Sequence, residues 1–95
     1  FLTNAEKAAA PVIYRSLQAA QSAIAAGEVH SKKIIKEIAS IVEEAPLAKL
    51  EYAVIADPDS LEPVAKIQGN VLVGVGAKIG NTPLNDSVLV EKPAK

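Results

Sequence analysis

The feature that most constrains this chain is the run Val71-Leu72-Val73-Gly74-Val75-Gly76-Ala77, bounded by Gly69-Asn70 on one side and Gly80-Asn81 on the other. No polar side chain interrupts it, so it reads as a strand at the centre of a sheet, buried on both faces. The rest of the chain must supply its neighbours. Residues 50–56, Leu-Glu-Tyr-Ala-Val-Ile-Ala, mix β-branched and aromatic residues with polar positions and read as a second strand. Asp57-Pro58-Asp59-Ser60 is a turn: proline presets the backbone, and the flanking Asp and Ser side chains can bond nearby amides. A short irregular segment carrying Leu61, Val64 and Ile67 leads to the central run. Gly80-Asn81 suits a tight hairpin, after which a less regular strand is expected over 82–90. Residues 91–95 read as a frayed tail.

The first half has a different period. Thr3-Asn4-Ala5-Glu6 is a capping-box pattern. Pro11 interrupts the helical segment that this box opens. We therefore expect a short turn over 4–9 and a helix over 11–26 that starts at the proline, which has no amide hydrogen to lose there. Ile13, Leu17, Ala20 and Ile24 form its apolar stripe, and Gly27 stops it. Ser31 is the expected cap of a second helix over 32–45. Its stripe is Ile34, Ile38, Ile41 and Ala45, widened by Ile35 and Val42, and Pro46 ends it. Two main helices followed by three strands, with no β-α-β alternation, define an α+β fold with a three-stranded antiparallel sheet.

Ninety-five residues suffice for one small domain but not for two separate cores. The composition, 49% hydrophobic and 22% charged, is that of a globular domain rather than a disordered tail. A net charge of −1 with scattered basic residues leaves no electrostatic footprint for nucleic acid or an anionic membrane. Two adjacent helices could suggest helix-turn-helix binding. However, the second offers only Lys32, Lys33 and Lys36 and ends in Glu43-Glu44, a charge pair expected to be solvated, so packing on a sheet is the favoured reading. The longest apolar run is far short of the roughly 20 residues a bilayer requires. The absence of cysteine excludes disulfides and thiolate chemistry, and it suits a cytoplasmic location. The chain opens at Phe1 and contains no methionine, from which we expect a fragment or a processed product.

Chemistry-bearing residues are sparse. His30 is the lone histidine, in the turn between the helices beside Glu28, with no sequence-near partner to aim it at a nucleophile. A solvated loop histidine is expected. Asp57 and Asp59 fall short of the oxygen-rich spacing of a calcium loop and read as turn formers. The glycines at 74, 76 and 80 lie within a strand and at a hairpin, not between a strand and a helix. They therefore serve close packing or a bulge rather than a phosphate. Arg15, the one arginine, could grip an anion, but a surface or intra-domain ion pair is its default role.

Several segments together carry a resemblance. Phe1-Leu2-Thr3, Ala9-Ala10-Pro11 with Tyr14-Arg15-Ser16-Leu17, and Ala26-Gly27-Glu28 occur in order. The block Leu50-Glu51-Tyr52-Ala53-Val54-Ile55-Ala56-Asp57-Pro58-Asp59-Ser60-Leu61-Glu62-Pro63 comes next, then the apolar strand from Asn70 to Ala77. Over nearly the whole chain this resembles the C-terminal domain of the pantothenate synthetases (pantoate–β-alanine ligases), and the block ending in Leu61-Glu62-Pro63 is its most specific part. Thr82-Pro83-Leu84-Asn85-Asp86-Ser87 falls where members commonly carry TRLIDN, so Pro83, Asn85 and Ser87 replace the usual residues, and any contact of the family arginine is lost. Asp86 is retained and is expected to fix a turn or the sheet end.

The resemblance implies an ATP-dependent ligase that joins pantoate to β-alanine through pantoyl-adenylate, releasing AMP and pyrophosphate. ATP and Mg belong to the full-length enzyme. The histidine motif that grips ATP lies in an N-terminal nucleotide-binding domain, and a Ser-Ser-Arg-Asn segment that closes over the phosphates would sit just before Phe1. The C-terminal domain is a movable lid. No matched position is one of the family's catalytic residues, so the expectation is no catalytic, cofactor-binding or metal residue within these 95. The fragment is expected to be inactive alone, and monomeric or weakly self-associating through the exposed lid face, with the N-terminal domain as its partner. A stand-alone protein-interaction module sharing the fold is the alternative.

Overall fold

The computed structural model describes residues 11–92. The expected capping box, the turn over 4–9 and the end of the tail at 93–95 lie outside the described residues. Two helices, α1 (Pro11–Ala25) and α2 (Ser31–Glu43), precede three strands, β1 (Ala48–Ala56), β2 (Val71–Ile79) and β3 (Thr82–Val90). The sheet is antiparallel in the order β1-β2-β3, so the apolar run is the central strand. The α+β class and the sequence of elements are as expected.

Helix α1 buries Ile13, Leu17, Ala20 and Ile24, the stripe its 3.6-residue period marks, together with Val12 and Ser16. Ser16 is tolerable inside because its Oγ donates to the Ile13 carbonyl at 2.7 Å. Gly27 ends the helix at φ 107, with the Glu28 amide donating to the Ala23 carbonyl and the Gly27 amide to that of Ile24. That pair of bonds is a Schellman motif, which requires the left-handed conformation at its glycine. Helix α2 buries Ile34, Ile38 and Val42, while Ile35 and Ile41 are partly covered at the margins of the face.

The start of α2 differs from expectation. His30, not Ser31, holds the cap position in extended conformation and makes no side-chain cap bond. The cause lies in the partner segment. His30 bridges to Lys66, and the Ser31 amide donates to the Ala65 carbonyl, so the chain is held straight until Ser31. Ser31 therefore enters the helix with its Oγ buried and without a hydrogen-bond partner. The other end also shifts. Regular helix stops at Glu43, short of the expected 45, because the amides of Glu44 and Ala45 bond carbonyls three residues back.

The core lies between the helices and one face of the sheet. Val71, Val73, Val75, Ala77 and Ile79 of β2 all point into it, joined by Ile55 and Val90 and by the connector residue Ile67. Strand β3 is regular along its whole length, contrary to the expected irregularity. Thr82 pairs with Ile79 across the Gly80-Asn81 turn, and alternation then makes Pro83 and Lys78 a non-hydrogen-bonded pair. The missing amide hydrogen of Pro83 removes no ladder bond there, and β3 is an edge strand. Gly80 alone in the turn takes positive φ, 60°, which fits a type II′ hairpin.

Candidate functional site

Among the described residues, none packs as a layer on the side of the sheet away from the helices. A bulge decides which side chains reach it. Leu50 faces Ala77 and Tyr52 faces Gly76, so Glu51 is an extra residue on β1. Strict alternation would put Leu50, Tyr52 and Val54 on one face. The bulge instead leaves Leu50 on the core side and turns Tyr52 and Val54 outward. There Tyr52 lies across the glycines of β2. A Cβ at Gly76 would clash with the Tyr52 ring at its Cε2 edge, and one at Gly74 would sit 3.3 Å from Val54 Cγ1. The glycines thus serve close packing, as expected, and the packed group is an aromatic ring from the neighbouring strand. Leu72 and Leu89, paired across β2 and β3, extend this apolar surface.

At one end of that surface the connection 57–70 forms an open groove of about 520 Å³, lined by Asp57, Asp59, Lys66, Gln68, Asn70 and Leu89 among others. Its shape comes from turn chemistry. Asp57 Oδ1 accepts from the amides of Asp59 at 2.8 Å and Ser60 at 2.9 Å, and the Leu61 amide donates to the Asp57 carbonyl. Leu61 is left at φ 64, the one non-glycine described residue with positive φ. The amides of Ser60 and then Asp59 hold the Asp57 carboxyl below the usual carboxylate range, since they stabilise its charged form. The connection then folds back on both layers: the Val64 amide donates to the Ile55 carbonyl and the Ile67 amide to the Val29 carbonyl.

The residues singled out in the sequence do not converge. His30 is exposed beside the α1–α2 turn, where its amide donates to Glu28 Oε2 at 3.0 Å. That amide is the main reason the Glu28 carboxyl lies below its ordinary value, with Lys33 adding to the effect. Arg15 donates to Glu44 Oε1 at 2.7 Å in an exposed ion pair tying α1 to the end of α2, the intra-domain role expected of it. Glu44 is thus a paired carboxylate as well as an exposed one. Asp57 and Asp59 form the turn. Asp86 is neither at a turn nor at the sheet end: it sits in mid-β3 opposite Val75, exposed, with Oδ1 accepting from the Ser87 amide. Pro83, Asn85 and Ser87 alternate along β3 on the open side, all exposed. Among the described residues no three His, Asp or Glu side chains gather as a metal site would require. No described helix is long and apolar enough to cross a membrane.

Sequence reasoning misses Tyr52 and Leu89 as surface-forming residues. The signal for Tyr52 is the alternation of 50–56, and Glu51 conceals it by shifting the phase.

A family model described as pantoate-beta-alanine ligase matches residues 1–89 of this chain. The chain is 41% identical over 91 residues to the pantothenate synthetase of Herpetosiphon aurantiacus, covering 95% of this chain and 33% of that protein. It is 38% identical over 87 residues to a pantothenate synthetase of Clostridium botulinum, covering 92% and 31% respectively. The fold superposes on the crystal structure of the pantothenate synthetase of Thermus thermophilus with a TM-score of 0.83 at 20% identity, over 93% of this chain and 32% of that one. The chain thus spans about a third of the length of the curated relatives it matches.

Proposed function

This chain belongs to the pantoate-beta-alanine ligase family, and from that premise we propose that it is the C-terminal lid of an enzyme that condenses pantoate with β-alanine through an acyl-adenylate. The observation that carries the proposal is the coverage: a match over 95% of this chain accounts for 33% of the relative. In this reading residues 1–95 form one domain, and a nucleotide-binding domain in the same polypeptide is its partner. The enzyme works in the cytoplasm and takes ATP and Mg. ATP activates the pantoate carboxylate, with release of pyrophosphate, and the β-alanine amine then displaces AMP. In this reading Mg accompanies the ATP phosphates in the nucleotide-binding domain, and no step assigned to this chain runs through it.

The lid's contribution is exclusion. An acyl-adenylate hydrolyses if water reaches its carbonyl before the amine does, and a closing domain keeps water out while holding the reactants in place. That task requires a rigid small core and a face complementary to the partner, and no acid–base pair of its own. The core between two helices and the sheet supplies the rigidity. The test is AMP release dependent on ATP, pantoate and β-alanine. It would be run on this chain alone and with the separately produced remainder of the Herpetosiphon aurantiacus synthetase added. Silence alone and activity in the mixture is the expected result; turnover by the isolated chain overturns the assignment.

A further inference from the structure

We propose that Asp86 is an edge guard: its carboxylate, turned onto the Ser87 amide, keeps the outer edge of β3 from pairing with the same edge of a second copy of this chain. Asp86 has no task in the lid reading, and the guard stands independently of it.

An edge strand presents a row of unpaired backbone groups, a template for another strand. Along β1 the connection 57–70 covers the far end. The Val64 amide donates to the Ile55 carbonyl and the Asp57 amide to the Glu62 carbonyl, and Ala56 bridges Pro63. The Glu51 bulge breaks the run before it. Among the described elements, none pairs with the outer edge of β3. Alternation from the Thr82–Ile79 pair turns the backbone groups of Pro83, Asn85, Ser87 and Leu89 toward that edge. Pro83 has no amide hydrogen to offer there. The Ser87 amide is occupied, donating to Asp86 Oδ1 at 2.8 Å.

No packing reason places a carboxylate at this position. Leu84 and Val88, two residues to either side, pack against the core, so Asp86 stands on the core side of the strand. A leucine or valine there would extend the core, whereas the aspartate is exposed. A charge at an inward position is one way in which edge strands resist edge-to-edge association. Symmetry adds to the effect, because two identical edges meet antiparallel about a two-fold axis. Pairing that engages residues 83, 85, 87 and 89 of both copies centres on residue 86. Asp86 then lies opposite Asp86 of the second copy as a close pair without hydrogen bonds, where like charges repel. Ser87 would face Asn85 of the second copy with its donor already taken.

Sedimentation velocity over a range of concentrations would compare this chain with Asp86→Thr and Asp86→Ser. Both replacements remove the carboxylate without adding a large apolar group, and circular dichroism checks that each is folded. Self-association at least about tenfold tighter than wild type is expected, the scale of a recovered hydrogen bond and a removed repulsion. In the variants, hydrogen exchange at the Asn85, Ser87 and Leu89 amides should slow as concentration rises. Adding Ser87→Pro, which removes the outward donor and no ladder bond, should return association to the wild-type level. Folded variants that associate no more tightly than wild type overturn the proposal. So does association that leaves those three amides in fast exchange or survives Ser87→Pro. Loss of the folded state in both variants overturns it as well, since a guard on an exposed edge is dispensable to folding.

Discussion

At position 76 a methyl group and an aromatic ring would occupy the same volume. Gly76→Ala should therefore lower stability by about 1–3 kcal/mol, the range for inserting carbon into a filled site. The loss should arise from displacing Tyr52 rather than from the strand, since alanine fits extended backbone. A urea double-mutant cycle checks this: in a Tyr52→Ala background the same substitution should become nearly neutral, and an undiminished loss there would refute the packing account. Ser31 makes the opposite case. Its hydroxyl is buried without a partner, so removing it sacrifices no bond and relieves a desolvation cost. Ser31→Ala should leave stability unchanged or raise it by up to about 1 kcal/mol. A loss of about 1 kcal/mol would instead mean that Ser31 caps the helix in solution.

Among the elements, the connection 57–70 carries the most local information, and Asp57 is its keystone. Two amides favour the charged form of its carboxyl, so its folded-state pKa is depressed. A depressed carboxylate contributes stability that is fully present above the unfolded value and is lost as pH falls through the folded one. Asp57→Ala should accordingly melt below wild type at pH 7, with the gap narrowing as pH drops below the ordinary aspartate range. A gap in melting temperature that stays constant from pH 7 to pH 3 would contradict this. This turn is legible in the sequence because proline and short polar side chains act on their own neighbours. The stop at Gly27 and the stripe of α1 are legible because they too depend on near neighbours, whereas the second helix ends at Glu43, before the stop expected at Pro46. The Glu51 bulge is not legible, because it arises from pairing two strands that are distant in sequence. Nor is the start of α2, where backbone pairing of His30 and Ser31 with 65–66 overrides the preference of serine for the cap. For Asp86 the motif alone suggests a turn or sheet end, and only the register of β3 on β2 sets it in mid-strand.

At the scale of the whole molecule, the described residues form two layers, with the core on one side of the sheet and no described element over the other. Composition shows that a core will form but not that one sheet face will remain open. In β2 that face is written in Leu72, Gly74, Gly76 and Lys78, and the glycines make the strand look buried throughout. The candidate chemistry is legible as scattered: His30, Arg15, Asp57 and Asp86 occupy four separate places. The proposed role, covering a reaction performed elsewhere in the ligase, asks only for a folded domain with a complementary face. The most direct measurement of that claim is the rate of AMP formation from ATP, pantoate and β-alanine by the Herpetosiphon aurantiacus synthetase. Three forms would be compared: intact, cut back to the part this chain does not match, and restored by fusing this chain in its place. The account predicts turnover that is lost on truncation and recovered in the fusion; a fusion no more active than the truncated enzyme would contradict it.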